Sequence, residues 1–423
     1  MSVIRPKLPE DPIRYDPAAA FAAGVVARPA VEGLADRLEA ARAEVVASAV
    51  LQLPDRLLAD YGTQRPASEL FAILRTARRI RDAVDRVVML GGGAGVMGAR
   101  AVFEACCHPF HNELSRGERG GRPRLSFEGC RFDNDSAQGL LDLVTPHGRQ
   151  RGDDLLDQWA VIAVAGRGGA METAAATRVF LAALRDAVGG NARQFAERLV
   201  TIATTSDGLA DLAPAVGSSD GFRIPDGVDA RFGVFTAVGL LAASIVGADV
   251  VRLLEGAAAM NRRFREAPVA DNPVLQYAAV SYGAGQESGI TAHSLSSQST
   301  QLEAVASWYA LIRSEHGGRA GAGAGAGCGT LITNLVVGEC RRDRLTVPSP
   351  GPLGAGQDEL GDLVGKTWPE LLAAAVARIH DDDARAGRPT ADILLPRIDE
   401  HVIGQLLQML MLAAVVEERL VRA

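Results

Sequence analysis

Twice in the first half of the chain a short, wholly apolar run ends in glycines and turns straight into a helical pattern. Val87-Val88-Met89-Leu90 leads into Gly91-Gly92-Gly93-Ala94-Gly95-Val96-Met97-Gly98, and Ala160 to Ala165 leads into Gly166-Arg167-Gly168-Gly169-Ala170. Runs that are apolar on both faces belong to strands covered on both sides, which is the signature of a parallel sheet with helices above and below. Leu125 to Gly129 and Leu199 to Thr205 read as further strands of the same kind. Helical patterns fill the intervals: Val31 through Val45, a helix opening at Ser68 with Glu69, one capped by Ser136, and Glu172 to about Val188.

After Arg231 a long Ala-rich apolar segment leads into a second half with the same grammar. Helices are expected near Val274 to Gly283, Gln301 to Ser314, Thr367 to Asp381 and Glu400 to Leu420. Short strands are expected at Ile332 to Val337 and Ile393 to Leu395. The first thirty residues, rich in Pro and Ala, read as an extended arm, and Ala320 to Gly327 and Pro348 to Gly356 as loops. At 423 residues the chain is long enough for two cores. The expected division is an arm and helix over 1–60, one α/β domain over 61–245 and another over 246–423.

Charge and cysteine usage narrow the partners. With 44 basic against 51 acidic residues the chain carries a net charge of −7, so nucleic acid is not an expected partner. Nearly all positive charge is arginine; the lysines are Lys7 and Lys366. Five scattered cysteines without a Cys-x-x-Cys pair read as reduced thiols of a cytoplasmic protein. The N-terminus lacks an apolar signal core, and Val234 to Val251 ends in charge short of a membrane span.

The turn from Gly93 to Gly98 fits Gly-x-Gly-x-x-Gly between a strand and a helix. Backbone N–H groups at a helix start can receive an anion there. A dinucleotide site also wants an acidic residue roughly 20 positions on. Glu128 lies farther away, which leaves a nucleotide-dependent oxidoreductase as an outside alternative. Cys106, Cys107, His108 and His111 group soft ligands but read as a helix end with buried thiols, so no metal is expected. Arg116 to Arg124 reads as a solvated arginine loop, and Met409 to Leu412 as core or subunit interface. Arg231 precedes a long apolar run, and Glu315 stands where a helix meets a Gly-rich loop.

Three segments join the first Gly-rich turn in a recognisable order: Val164 to Thr173, Asp229 to Leu241, and Gln301-Leu302 through Trp308-Tyr309 to Ser314-Glu315-His316-Gly317-Gly318. Together they resemble the phosphoglucose isomerase family, built of two sugar-isomerase domains. The family's Gly-Ile-Gly-Gly-Ser-x-x-Gly-Ala-Arg-Ala is matched at Gly91 to Gly95 and Gly98 to Ala101, with Gly95 where the family has serine. Its Gly-Arg-Phe-Ser-Val-x-x-x-Val-Gly-Leu-Leu is matched from Ala230 to Leu241, so Arg231 takes the place of its active-site arginine. Its catalytic glutamate falls on or beside Glu315. The family's phosphate-binding hydroxyls are replaced by Ala165 to Met171, its ring-opening histidine falls at or beside Leu331, and its C-terminal Gly-x-x-x-Gly-Lys has no counterpart.

The resemblance implies two doubly wound parallel-sheet domains with helical arms and a homodimer. It also implies interconversion of glucose 6-phosphate and fructose 6-phosphate through an enediolate, without a cofactor. Glu315 and Arg231 are then the catalytic candidates. Gly92, Gly93, Gly95, Arg167, Gly168, Gly169, Glu172 and Gln301 are the candidates for holding the phosphorylated sugar, with His316 next to the base. The alternative within the same family is a catalytically impaired protein that binds a sugar phosphate for regulation.

Overall fold

A computed structural model describes residues 12–145, 154–165, 170–204, 209–218, 220–314, 329–349 and 361–422. Among the described residues nine strands form two sheets. In the first, Arg86–Leu90 (β2), Arg124–Glu128 (β3), Trp159–Val164 (β4), Leu199–Ala203 (β5) and Gly221–Arg223 (β6) run parallel in the order β3-β2-β4-β5-β6. In the second, Arg14–Asp16 (β1), Ala292–Ser297 (β7), Thr330–Glu339 (β8) and Thr390–Arg397 (β9) lie in the order β1-β9-β8-β7, parallel except for β1. The fold is thus α/β with two parallel-sheet units, as the alternating apolar runs require.

The first sheet is buried from both sides. Val88, Leu90, Trp159 and Val161 face the helices Asn134–Val144 and Ala170–Ala187, while Val87, Met89, Ala160 and Ile162 join the larger core. That larger core runs without a break into the second unit. The helix Ala237–Val246 is buried along its whole length and packs on the helices Glu69–Ala83 and Gly93–Cys106. Each such Leu or Ile contributes about 1.5–3 kcal/mol by leaving water.

The terminal helix Glu400–Arg422 is the centre of the second unit, with Met409 to Leu412 fully enclosed. It is long and apolar enough to cross a membrane, but 89% of its most apolar window is buried here, so it is a core helix. It crosses the helix Val250–Glu266 at backbone contact. A Cβ on Gly404 would lie 2.0 Å from the Leu253 carbonyl oxygen, and one on Gly256 would lie 1.9 Å from that of His401. Only glycine at both positions lets the two backbones touch.

Three expectations need correction. From residue 12 on, the N-terminal segment is not an extended arm, and residues 1–11 lie outside the described residues. Arg14–Asp16 closes the edge of the second sheet against β9, and the helices Ala18–Ala22 and Arg28–Glu32 follow. The helix after β3 is capped by Asp133, whose Oδ1 accepts from the Ser136 N–H at 3.1 Å; the Ser136 hydroxyl instead donates to Glu128 at 2.8 Å. Arg116 to Arg124 is no solvated loop, since Arg119 is fully buried on Asp85. The strand β7 and the helix Ala49–Gln64, which carries Pro54 in its interior, have no counterpart in the sequence reading. Residues 320–327 and most of the 348–356 loop lie outside the described residues.

Candidate active site

In the first sheet the chain passes from β2 to β3 on one side and then crosses to β4 on the other. The crevice outside the carboxyl ends of β2 and β4 is therefore the switch point where ligands bind in open α/β sheets. The turns after β2, β3 and β4 converge there. Gly91 N–H donates to the Glu128 carbonyl at 2.9 Å, and Thr173 Oγ1 donates to the Gly129 carbonyl at 2.9 Å. Glu128 is buried, its carboxylate accepting from Ser136 Oγ and, at 2.9 Å, from Gly129 N–H. Glu172 is half-buried in the first turn of the helix after β4.

The glycines of the first turn are demanded by geometry. Gly93 has φ +74°, and a Cβ on Gly91 would meet Val96 Cγ2 at 2.7 Å. A Cβ on Gly95 would lie 2.8 Å from the Ala230 carbonyl oxygen, because the short 3-10 segment Ala230–Phe235 rests on this turn. Arg231 is thereby delivered beside Gly92, Gly93 and Gly95, all of which keep some exposure. The missing serine of the family pattern is thus a packing consequence: the carbonyl of residue 230 occupies the space a side chain needs.

Arg231 is fixed on all sides. Its backbone N–H donates to Asp229 Oδ1 at 3.1 Å, its Nε pairs with Asp229 Oδ2 at 3.2 Å, and its Nη1 lies 3.5 Å from Glu418 Oε1. The guanidinium stacks over Phe232 with 4.7 Å to the ring centroid. Its side chain is only 9% exposed, so this charge is held in a setting of lowered dielectric where it acts strongly.

The helix Glu303–Ser314 runs antiparallel to Gly93–Cys106. Gln301, just before it, donates to the Cys107 carbonyl at 3.4 Å, and Trp308 packs against Gly98. Its final turn is therefore carried toward the Gly91–Gly95 turn. There Arg313 pairs with Glu417 at 2.7 Å. Glu417 and Glu418, adjacent on the terminal helix, thus hold Arg313 and Arg231 side by side. Burial opposes the Arg313 charge, but Glu417, Tyr309 and Tyr277 outweigh it, so its pKa stands above the usual arginine value. Burial raises the Glu417 carboxyl, with Arg313 pulling it back.

Glu315, His316, Arg167, Gly168 and Gly169 lie outside the described residues. Of the described candidates, Arg231, Gly92, Gly93, Gly95 and Glu172 gather at the carboxyl edge. Gln301 does not join them: it stands at the Cys107 end of the Gly93–Cys106 helix, about 18 Å away at 1.5 Å per residue. There it lines a separate cavity of about 200 Å³ with Glu104, His108 and His111. Among the described residues no group of three or more His, Cys, Asp or Glu side chains could hold a metal ion. The Cys106 and Cys107 thiols are simply buried, which pushes Cys107 up to about 12 and Cys106 well above its ordinary value. Sequence reasoning missed Asp229, Arg313, Glu417 and Glu418. The one available signal was an acidic pair closing the apolar run of the terminal helix.

Comparison with known proteins agrees with the fold. Residues 159–342 match the phosphoglucose isomerase family model. The chain is 29% identical over 364 residues to a glucose-6-phosphate isomerase of Symbiobacterium thermophilum, covering 82% of this chain and 78% of that protein. It is 27% identical to that of Bacillus cytotoxicus, covering 80% and 75%. Among solved structures, a hypothetical protein of Thermus thermophilus superposes with TM-score 0.74 at 24% identity, covering 96% and 94%. A glucose-6-phosphate isomerase of Chlamydia trachomatis gives TM-score 0.61 at 16% identity, covering 82% and 68%; both show the fold alone.

Proposed function

We propose that this chain, a divergent member of the phosphoglucose isomerase family, interconverts glucose 6-phosphate and fructose 6-phosphate through an enediolate. The observation that carries the reading is the buried Arg231, locked beside the Gly91–Gly95 turn while the helix ending at Ser314 arrives at the same edge.

In the aldose-to-ketose direction the Glu315 carboxylate takes the proton from the second sugar carbon. The electron pair moves into the carbon–carbon bond as the carbonyl oxygen gains negative charge; Glu315 then returns the proton to the first carbon while the hydroxyl proton of the second carbon passes to the oxygen of the first, leaving the ketone. Arg231 supplies fixed positive charge where that oxyanion develops. Its position costs no reorganisation, because Asp229, Phe232 and Glu418 already hold it. The phosphate is received by main-chain N–H groups at the starts of the helices after β2 and β4, with Arg167 in place of the lost hydroxyls.

The absence of those hydroxyls favours the second reading, a protein that binds sugar phosphate without turnover. Incubation with fructose 6-phosphate in heavy water separates the two. Isomerisation puts deuterium on the sugar and yields glucose 6-phosphate in a coupled assay. Saturable binding with no exchange gives the binding protein, and neither binding nor exchange removes both readings.

A further inference from the structure

The Gly93–Cys106 helix starts in the crevice and ends at a second hollow that the isomerase reading does not use. Phe103, Glu104, His111, Glu113, Thr300 and Gln301 are among its walls. Its volume of about 200 Å³ corresponds to a space about 7 Å across, with room for roughly six or seven water-sized groups, so one small ligand reaches every wall.

His111 is the wall residue whose second nitrogen the fold leaves idle. It is 5% exposed, and its ring meets Phe103 nearly at right angles with 5.4 Å between centroids. Its Nε2 lies 3.0 Å from the Pro123 carbonyl oxygen, which can only accept, so Nε2 carries the proton. Burial, joined by the Arg119 and Arg122 charges, holds its pKa below the usual histidine value against the pull of that carbonyl, so the ring is neutral at pH 7. Nδ1 is then a bare lone pair on the side of the ring turned away from Pro123. Among the described residues nothing donates to it, and a buried acceptor without a donor is costly.

The other walls add acceptors. Glu104 gives Oε1 to Arg100 at 2.7 Å and keeps Oε2. Gln301 turns its amide nitrogen to the Cys107 carbonyl at 3.4 Å and keeps Oε1. Among the described residues the Thr300 hydroxyl and the Glu113 carboxylate have no partner. The hollow also stands at the carboxyl end of its helix, where the partial charge is negative. There the carbonyls of Ala105, Cys106 and Cys107 already hold the Arg341 guanidinium. Lone pairs and negative charge argue against an anion. A metal ion needs ligands converging to about 2 Å of one point, and among the described residues no group of three or more His, Cys, Asp or Glu side chains does so. Hydrogen bonds near 2.9 Å reach farther, and an ammonium group has three N–H donors for separate acceptors.

We propose that this hollow binds a small primary amine in its ammonium form, seated between His111 Nδ1, Glu104 and Gln301 with its carbon chain along Phe103. The bond to Glu104 is charge-assisted and carries most of the selectivity for a cation over a neutral alcohol. The site lies about 18 Å along the helix from the crevice and stands whether or not the chain is an isomerase.

Propylammonium is the probe, and propan-1-ol, with the same chain and no charge, is the control. The readout is the nitrogen NMR signal of His111 Nδ1, a lone pair that a new N–H donor must shift. Wild type should bind propylammonium saturably with a Kd on the order of millimolar, and that signal should move with the same midpoint. Propan-1-ol at equal concentration should leave it in place. Glu104→Gln alters a side chain that is 28% exposed and should bind the amine about tenfold more weakly or worse. Gln301→Leu should weaken binding severalfold and carries the test if Glu104→Gln does not fold. Equal binding of propan-1-ol would overturn the proposal. So would a His111 signal that stays put at saturating amine, or an affinity unchanged in the folded variants.

Discussion

Putting the family's serine back at position 95 should damage this protein rather than repair it. The new Cβ would stand 2.8 Å from the Ala230 carbonyl oxygen, and that oxygen belongs to the main chain, which cannot rotate aside as a side chain can. Reaching ordinary contact requires the Ala230–Phe235 segment to retreat by roughly half an ångström. Overpacking of this kind costs about 1–3 kcal/mol. Arg231 is the next residue and must move with the segment, straining its contacts to Asp229 and Glu418. Displacements approaching 1 Å in a catalytic group cost about a hundredfold, so turnover of Gly95→Ser should drop on the order of tenfold. Denaturant unfolding followed by circular dichroism gives the stability change, and the coupled isomerase assay gives the rate. A variant with wild-type stability and tighter fructose 6-phosphate binding would show that the 3-10 segment yields freely and that the packing explanation of Gly95 is wrong.

Glu315→Gln should lower isomerisation by about 10²–10⁴-fold, because the amide keeps the shape but cannot take the proton. Arg167→Ala should mainly raise KM, and steady-state kinetics on both variants tells chemistry from binding. Glu417→Gln removes the partner of a buried guanidinium and should destabilise by about 3 kcal/mol in urea unfolding. Asp399 caps the terminal helix, accepting from Val402 N–H at 2.8 Å and Arg397 Nε at 2.7 Å. Burial opposes its charge, but these donors and Arg252 hold its carboxyl below the usual aspartate range. With the folded pKa below the unfolded one, its contribution is fully present above about pH 4 and fades as pH falls through the folded value. Asp399→Ala should therefore cost about 1–2 kcal/mol at neutral pH, and the gap from wild type should close in acid. Sedimentation equilibrium at micromolar concentration should give the mass of two chains, and a single-chain mass refutes the dimer.

The strands most directly legible in the sequence were those buried on both faces. Val87 to Leu90 and Ala160 to Ala165 are continuous apolar runs ended by glycine and too short for a core helix. The strand β7, Ala-His-Ser-Leu-Ser-Ser, is largely polar and half-buried, so it carries neither an apolar run nor a clean alternation. The helix Ala49–Gln64 was hidden by Pro54, which is tolerated because the Val50 carbonyl it leaves without a helical donor accepts from Gln408 Nε2 at 3.3 Å. At the site, Arg231 and the glycines were legible because their requirements are local: a tight turn, a charge before an apolar run. Glu417 and Glu418 were not, since their role exists only once the terminal helix has been laid against two other elements. Gln301 stands apart from the other candidates for a related reason. Motif order places it near Glu315 in sequence, but one helix length separates the two ends of that segment in space.

The pairing of β1 with β9 sets an order of events for a chain emerging from the ribosome. Asp16 lies opposite Asp392, so the first strand to be synthesised waits for almost everything else before it finds its neighbour. Until then Tyr15 and Ile13, buried in the finished protein or packed on its core, have nowhere to go, and the edge of β9 is open as soon as it forms. The first sheet suffers no such delay, because β2 to β6 follow one another in a single stretch. Assembly should thus be strongly vectorial, with the sheet of the switch-point crevice complete early and the other finished last. Late closure of this kind leaves an exposed strand edge during synthesis, the interval in which such chains are most open to pairing with the wrong partner.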